Sequence, residues 1–206
     1  MNARRLLTAV FDFYRSRGCA DDETADPMLA TVCSELARCT IGESTIAPRA
    51  IPAATLLPEA LAFVQSSDCR AIGAALGEAT HLFHWRQNPN YNAANMGAAF
   101  MAGYGYVEFA GPKDALFHAA GIRVGILLLG PGLHYPLHAH PAEEIYHPLT
   151  DGGLWRRGEE EWRTVSAGEA IHHPPMMPHE TKAADRTLLA LYCWRGDTAT
   201  EARLAT

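Results

Sequence analysis

The spacing of hydrophobic positions changes near residue 104. Before that point, apolar residues recur three and four positions apart, which is the period of an amphipathic helix. The clearest example runs through Ile72, Leu76 and Phe83 and ends before the turn signal Asn88-Pro89-Asn90. The same spacing, with start and stop signals, predicts earlier helices over residues 6–18, 27–36 and 58–65. The first part of the chain is therefore predicted to be helical.

From residue 104 onward, short apolar runs alternate with Gly, Pro and Asp turn signals. The run 123–129 (RVGILLL) is bounded by Gly121 and Gly130. Similar runs cover residues 106–109, 144–149, 153–157, 161–165, 170–173 and 187–194. Strands at such close spacing are typical of an antiparallel sandwich or barrel. We therefore predict a mainly β protein, with an N-terminal α-helical lobe over residues 1–100 and a β-barrel over residues 101–206.

Composition narrows the class of protein. The 206 residues are 48% hydrophobic and 19% charged, with a net charge of −6; we therefore expect a folded core and no nucleic-acid partner. No apolar run approaches the ~18–20 residues that span a bilayer, which predicts no membrane partner. The five cysteines are odd in number and lack a CxxC pair, which favours reduced thiols and a cytoplasmic location.

Histidine is concentrated in one stretch, because seven of the ten lie between residues 134 and 179. Alternate residues of a strand share a face, so His138 can point with His140, and Glu144 with Tyr146. The break at Pro141-Ala142 lets the two pairs converge. Two imidazoles and a carboxylate suit a first-row divalent metal such as Fe, Mn, Co, Ni or Zn.

The alternative is that these histidines lie on the surface or in loops. A single histidine would favour that interpretation, whereas a His-x-His pair followed four residues later by glutamate favours a metal site. A further ligand is available in His179, which follows Gly168 and the turn-rich segment 174–178 (PPMMP).

The first histidine segment resembles cupin motif 1, which reads Gly, five residues, His-x-His, three or four residues, Glu, six residues and Gly. Gly132, His138, His140 and Glu144 fit this spacing, and the closing glycine comes one residue late at Gly152. The resemblance implies a cupin fold, which is a double-stranded β-helix or jelly-roll barrel.

Cupin motif 2 is matched further along the chain. Gly168, Pro174 and His179 fit its spacing, whereas Met176 replaces its glycine and Ala183 its asparagine. These departures concern turn geometry more than chemistry, so the implied ligand His179 is retained.

Two tyrosines carry a narrower resemblance. Tyr135 lies three residues before His138, and Tyr146 lies two residues after Glu144. With a helical lobe and Trp194, this string is similar to the cupin dimethylsulfoniopropionate (DMSP) lyases, which cleave DMSP to dimethyl sulfide and acrylate. The close similarity covers residues 135–179.

The family resemblance implies roles for individual residues. The metal ligands would be His140, Glu144, His179 and Tyr146. Tyr146 is also the implied catalytic base, whereas Tyr135 and His138 are implied as catalytic and substrate-binding residues of the pocket. His138 is a metal ligand in some relatives, and Trp194 would face the substrate.

The implied enzyme is a carbon–sulfur lyase that performs a tyrosine-initiated β-elimination on a small zwitterionic substrate. It would use one divalent transition metal (Fe, Zn, Mn, Co or Ni), no organic cofactor, and act as a monomer or homodimer. A metal would neutralise the substrate carboxylate and lower the pKa of a nearby tyrosine from about 10.

The sulfonium of such a substrate needs aromatic neighbours, because a cation without hydrogen-bond donors is attracted by π faces. Trp194, Tyr135, Trp85 and Tyr91 are the candidates. Trp85 has a second interpretation as a core aromatic, and Tyr91 could either anchor its loop or cover the site.

Several polar residues near the motifs are expected outside the chemistry. Glu143 should point away from Glu144, and His172 and His173 should serve in packing or beside the ligands. His134 and His147 are expected at the periphery.

Two other functions stay open at this stage. One is another metallo-cupin enzyme, an oxygenase or isomerase acting on a small carboxylate; the other is a non-catalytic cupin that binds a ligand, since a fold does not determine a function. The tyrosine pair favours the lyase, because a binding module has no need of a tyrosine beside a metal.

Overall fold

The computed structural model describes residues 2–18, 27–39 and 46–205. Helices occupy these ranges up to Gly103, and strands follow from Tyr104. The helices are α1 (Asn2–Gly18), α2 (Pro27–Arg38), α3 (Leu57–Ala62), α4 (Ser67–Ala79), α5 (Ala93–Met96) and α6 (Ala98–Gly103), with 3-10 turns at Pro52–Leu56 and Thr80–Leu82. The change of structure near residue 104 is confirmed, and the division of the chain into domains at residues 100 and 101 stays a prediction.

The apolar stripes of the long helices face one another. In α1 the buried positions include Leu6, Val10 and Phe13, at the three- and four-residue spacing of one helix face. Helix α4 buries Ile72 and Leu76 in the same way and packs against α1. Among the described residues, no helix combines the length and the apolar character that crossing a bilayer requires.

Eleven strands follow in the described part of the chain. They are β1 (Tyr104–Gly111), β2 (Phe117–His118), β3 (Ile122–Leu129), β4 (His134–Ala139), β5 (Glu143–Pro148), β6 (Gly153–Arg157), β7 (Arg163–Val165), β8 (Ile171–His173), β9 (His179–Ala183), β10 (Leu188–Arg195) and β11 (Arg203–Leu204). One sheet has the order β2-β1-β3-β10-β5-β8 and the other β11-β4-β9-β6-β7. The sheets are antiparallel apart from the β1–β2 pair. This arrangement confirms the mainly β, cupin-type barrel with an N-terminal helical lobe.

The six-stranded sheet is buried on both faces. On β10, Leu191 packs in one core cluster with the helices, while its neighbours Tyr192 and Trp194 belong to a second cluster inside the barrel. On strand β3, Ile126 likewise belongs to the cluster with the helices, and Leu127 to the cluster inside the barrel. The continuous apolar run on β3 therefore reflects a strand with the helical lobe on one side and the barrel interior on the other.

His147 corrects the expectation of a peripheral position. It lies on β5 and is fully buried, with its ring centroid 5.2 Å from that of Phe13 and 5.7 Å from that of Tyr14 on α1. Burial is the main cause that lowers the pKa of His147 to about 3, so the ring is neutral. The helical lobe covers this face of the sheet, which the strand pattern could not reveal.

The cysteines correct a second expectation. Cys33 is disulfide-bonded, whereas Cys39 and Cys69 carry free thiols. The prediction of reduced thiols throughout is therefore wrong at Cys33, and the cytoplasmic location stays a prediction.

Candidate metal centre and adjoining cavity

Strand pairing brings the predicted site residues together. His138 on β4 pairs with His179 on β9 in one sheet. In the other sheet, Glu144 on β5 pairs with Trp194 on β10, and Tyr146 pairs with Tyr192. Since the sheets face each other, residues from both strand pairs meet inside the barrel.

Three of the predicted ligands converge on one point. His140 Nε2 lies 3.1 Å from Glu144 Oε2, and His179 Nε2 lies 3.2 Å from the same oxygen. Among the histidine, cysteine, aspartate and glutamate side chains of the described ranges, only these three offer ligand atoms that all lie within 4.8 Å of one another. All three side chains are buried.

Backbone carbonyl groups determine the tautomers of the two histidines. The Nδ1 atom of His140 lies 3.0 Å from the Ala142 carbonyl oxygen, and that of His179 lies 2.8 Å from the Met177 carbonyl oxygen. A carbonyl oxygen only accepts, so each Nδ1 carries a hydrogen, and in the neutral form of each ring Nε2 presents a lone pair. His179 Nε2 is buried without a hydrogen-bond partner.

This donor set fits a divalent cation. Two imidazole lone pairs and a carboxylate oxygen point at one another, which is unfavourable unless positive charge lies between them. Histidine nitrogen with carboxylate oxygen is a ligand set for zinc and other first-row divalent metals.

The carboxylate itself is held ionised. Burial alone would raise the pKa of Glu144, but His140, His173 and His179 outweigh that effect and hold the pKa well below its usual value. Its second oxygen, Oε1, accepts a hydrogen bond from Trp194 Nε1 at 2.5 Å.

The turn before His179 uses an unusual conformation. Met176, which occupies the glycine position of cupin motif 2, has a φ of 62°, in the left-handed region that glycine adopts at least cost. Its backbone N–H donates to the His140 carbonyl oxygen at 2.9 Å. The departure from the motif therefore keeps the turn that links the two histidines, in a strained form.

His138 lies beside the three-residue cluster. Its ring stacks on Tyr135 with centroids 3.9 Å apart and planes 5° from parallel, and its centroid is 4.1 Å from that of His179. Nδ1 of His138 donates to the Pro136 carbonyl oxygen at 2.8 Å. Burial is the main cause that lowers the pKa of His138 well below its usual value, and the repulsion that a protonated His138 would meet from a protonated His179 adds to it.

Tyr146 stands next to Glu144 in the barrel. Burial raises the pKa of Tyr146 well above its usual value, and the charge of Glu144 and a hydrogen bond to it add to the increase. The hydroxyl is therefore protonated in the surroundings that the protein alone provides.

An aromatic cavity adjoins the cluster. Its lining residues are Asn88, Tyr104, Tyr106, Arg123, Leu127, Tyr135, Glu144, Tyr146, Tyr192, Trp194, Glu201 and Ala202. Trp194 forms part of this wall and stacks on His140 with ring centroids 4.1 Å apart.

The other two aromatic candidates lie elsewhere. Trp85 packs with Phe83 and the helical lobe, which supports its interpretation as a core residue. The Tyr91 hydroxyl lies 3.2 Å from the Tyr135 hydroxyl, so Tyr91 buttresses a residue of the cavity wall.

Several residues that line the cavity were not predicted from the sequence. Tyr104 and Tyr106 alternate on β1, and Tyr192 precedes Trp194 by two positions on β10; strand alternation could have identified these tyrosines. Arg123 and Glu201 carry no local signal, because their 2.8 Å contact joins β3 to the C-terminal segment.

The neighbouring polar residues follow the predicted alternation. Glu143 points away from Glu144, accepts a hydrogen bond from Arg195, and lies 2.9 Å from His172 Nε2. His173 faces the site, where its Nδ1 lies 3.2 Å from Glu144 Oε2.

Fold and site together define a cupin with a candidate metal centre beside an aromatic cavity. The profile of the dimethylsulfoniopropionate lyase family matches residues 28–190. The chain belongs to the DMSP lyase family and is therefore a carbon–sulfur lyase.

Individual relatives agree with this assignment. The chain is 32% identical over 158 residues to dimethylsulfoniopropionate lyase DddQ from Ruegeria pomeroyi DSS-3, which covers 75% of each chain. A crystal structure of that DddQ superposes with a TM-score of 0.81 at 28% identity, over 98% of this chain and 96% of the other. A chain from the crystal structures of the DMSP lyases RdDddP and RnDddQII has a TM-score of 0.82 at 23% identity, over 100% and 98% of the two chains.

Proposed function

We propose that this enzyme cleaves DMSP to dimethyl sulfide and acrylate by a metal-dependent β-elimination that Tyr146 initiates. Family membership supports the substrate. The observation that carries the mechanism is the convergence of His140, Glu144 and His179 at the wall of a cavity that Tyr146 also lines.

His140, Glu144 and His179 would hold the metal. Tyr146, which lines the same cavity as Glu144, is proposed as a further ligand. A bound divalent cation would supply positive charge that neutralises the substrate carboxylate and lowers the pKa of a neighbouring phenol. Fe, Zn, Mn, Co and Ni all accept this set of ligands, and no organic cofactor is required.

Tyr146 is the proposed base. Its phenolate removes the proton from the carbon next to the carboxylate, and the electrons of that C–H bond form the C=C bond of acrylate. The C–S bond breaks with its electron pair on sulfur, so dimethyl sulfide leaves as a neutral molecule. The proton resides on the Tyr146 oxygen and must pass to solvent before the next turnover. Because burial and Glu144 both favour the phenol, the base depends on a nearby positive charge.

Aromatic side chains are proposed to hold the sulfonium end. Tyr135 and Trp194 line the cavity, and each ring that contacts a desolvated cation contributes about 0.5–2 kcal/mol. His138, which is neutral and stacked on Tyr135, is proposed to support substrate binding from the same wall. The enzyme is proposed to act in the cytoplasm as a monomer or homodimer.

The test is release of dimethyl sulfide without oxygen. Purified protein loaded with each candidate metal is incubated anaerobically with DMSP, and headspace dimethyl sulfide and dissolved acrylate are measured. We expect equal amounts of both products from the metal-loaded protein and a large loss in a metal-stripped sample. Release no greater than in the stripped control for every metal would contradict the proposal, and a requirement for oxygen would favour an oxygenase.

A further inference from the structure

Each oxygen of the Glu144 carboxylate has a partner that is not among the three converging ligands. We propose that His173 and Trp194 are positioning residues that hold Glu144 in the orientation in which it binds the metal. This inference rests on the metal centre proposed above, and it assigns Trp194 a role besides that of a cavity wall.

The two oxygens of Glu144 have different surroundings. Oε2 faces the ligand nitrogens of His140 and His179 at 3.1 and 3.2 Å. Oε1 accepts the Trp194 Nε1–H at 2.5 Å. A carboxylate held at both oxygens cannot rotate about its terminal bond without losing a contact, so one oxygen stays directed at the two histidines.

His173 contacts the carboxylate from the neighbouring strand. Glu144 and His173 are direct partners in the β5–β8 pair, so their side chains lie on one face of the sheet. His173 Nδ1 lies 3.2 Å from Glu144 Oε2, and an ionised carboxylate only accepts, which makes Nδ1–H the donor. The His173 ring also lies parallel to His179, with centroids 3.8 Å apart and planes 13° from parallel.

Trp194 contacts two of the proposed ligands, Glu144 and His140. It is the direct partner of Glu144 in the β5–β10 pair, and its indole covers the His140 ring at 4.1 Å with planes 29° from parallel. The indole nitrogen can only donate, so Glu144 Oε1 is the acceptor of this hydrogen bond. Partners of this kind typically change metal affinity about 10- to 100-fold when they are removed.

The chain contains a matched pair that serves as a control. Glu143 and His172 precede Glu144 and His173 by one position each and also contact each other, at 2.9 Å. Strand alternation places this pair on the opposite face of the same sheet, where His172 is exposed. Removing His172 therefore breaks a histidine–carboxylate contact of the same kind without reaching the ligands.

The experiment measures zinc affinity by competition with a chelator, in wild type and four variants. His173→Phe keeps a ring against His179 but lacks the donor, and His173→Asn lacks the ring but places an N–H near the Nδ1 position. Trp194→Phe keeps a ring over His140 without its N–H. We expect His173→Phe and Trp194→Phe to bind zinc about 10- to 100-fold more weakly, and His173→Asn and His172→Ala to stay within about threefold of wild type.

A second readout is the visible spectrum of the cobalt-loaded proteins, which reports the ligand geometry without turnover. We expect altered bands in His173→Phe and Trp194→Phe and unchanged bands in His173→Asn. Wild-type zinc affinity in both Phe variants would overturn the proposal, and so would equal losses in His173→Asn and His173→Phe. If wild type bound no stoichiometric zinc, the metal centre and this inference would both fail. If wild type bound zinc but released no dimethyl sulfide, only the proposed reaction would fail.

Discussion

Backbone carbonyl groups decide which nitrogen each site histidine presents to the barrel. His138, His140 and His179 each direct Nδ1 at a carbonyl oxygen two residues away in the chain. In the neutral form of each ring this leaves Nε2 without a hydrogen, which is the state a metal ligand requires. Local backbone geometry thus orients these histidines in the way that ligation of the proposed metal would require.

Tyr146 provides the most direct test at the scale of residues. We expect Tyr146→Phe to reduce kcat for dimethyl sulfide release by at least about 10³-fold, because the base of the elimination is lost, while most of the metal is retained by His140, Glu144 and His179. Rates come from headspace analysis and metal content from elemental analysis. The control is Tyr14→Phe, which removes a buried hydroxyl outside the cavity. Near-normal turnover in Tyr146→Phe would show that another group is the base.

Two strands of the large sheet contact the helical lobe on one face and the cavity on the other. Strands β3 and β10 are adjacent in the six-stranded sheet, and each carries lobe-facing and cavity-facing residues in alternation. A change in how the sheet packs under the lobe is therefore transmitted to Tyr192 and Trp194 on the opposite face.

At the scale of elements, Gly125 on β3 tests how closely the neighbouring strands β1 and β10 approach. A Cβ atom at this position would lie 2.0 Å from the Val107 carbonyl oxygen and 2.8 Å from the Tyr192 hydroxyl. We expect Gly125→Ala to lower the free energy of unfolding by about 2–3 kcal/mol, because backbone of β1 must move away. Urea unfolding measures the change.

Gly77 supplies a control with the opposite sign. It is exposed in α4, and a Cβ atom there would meet only ordinary van der Waals contact at 3.8 Å. Gly77→Ala should raise the free energy of unfolding by about 0.5–1 kcal/mol through helix propensity. If Gly125→Ala were as stable as wild type, the close approach of β1 to β3 at this glycine would not contribute to the stability of the fold.

At the scale of the whole molecule, a half-buried arginine links the barrel to the C-terminal segment. Arg123 donates to Glu201 at 2.8 Å, and its Nε lies 3.6 Å from Glu108 Oε2. Burial is the main cause that raises the pKa of Glu108 from 4.5 to about 7, with Arg123 opposing it. One arginine is thus shared between two carboxylates, of which Glu108 is the more buried.

This arrangement predicts a pH dependence of stability. The folded state holds the Glu108 proton more tightly than the unfolded state, so the contribution of this group is fully present below pH 4.5 and is lost as the pH rises through about 7. Glutamine does not titrate, so the Glu108→Gln variant does not lose this contribution to stability as the pH rises. Its free energy of unfolding should therefore increase relative to wild type between pH 5 and pH 8, by at most about 3 kcal/mol at 1.36 kcal/mol per pKa unit.

Denaturant unfolding at both pH values measures the difference between the two proteins. Glu169→Gln, at a surface ion pair with Arg163, serves as the control and should leave the pH dependence unchanged. A constant difference between Glu108→Gln and wild type across this range would contradict the assignment of a raised pKa to Glu108.

Local patterns were sufficient for much of the architecture. The apolar spacing of α1 and α4 marks one buried face each, and the strands of the barrel follow from short runs between turn signals. Strand β9 was not predicted, because its sequence (HETKA) is polar and buried only through its neighbours. The motif spacing and the two tyrosines predicted that His140, Glu144, His179 and Tyr146 form one site. This was possible because these residues lie within one short segment and one distant turn.

Other features depend on segments that are far apart in the chain. The burial of His147 requires α1 to lie on β5, and the pairing of Arg123 with Glu201 requires the C-terminal segment to return to β3. The proposed role of His173 depends on the register of β8 against β5, since a shift by one residue would exchange it with His172. Residue types and their spacing thus identified the candidate ligands and the family. The partners that orient those ligands were decided by strand register and by packing between sheets, because these contacts form only when the barrel closes.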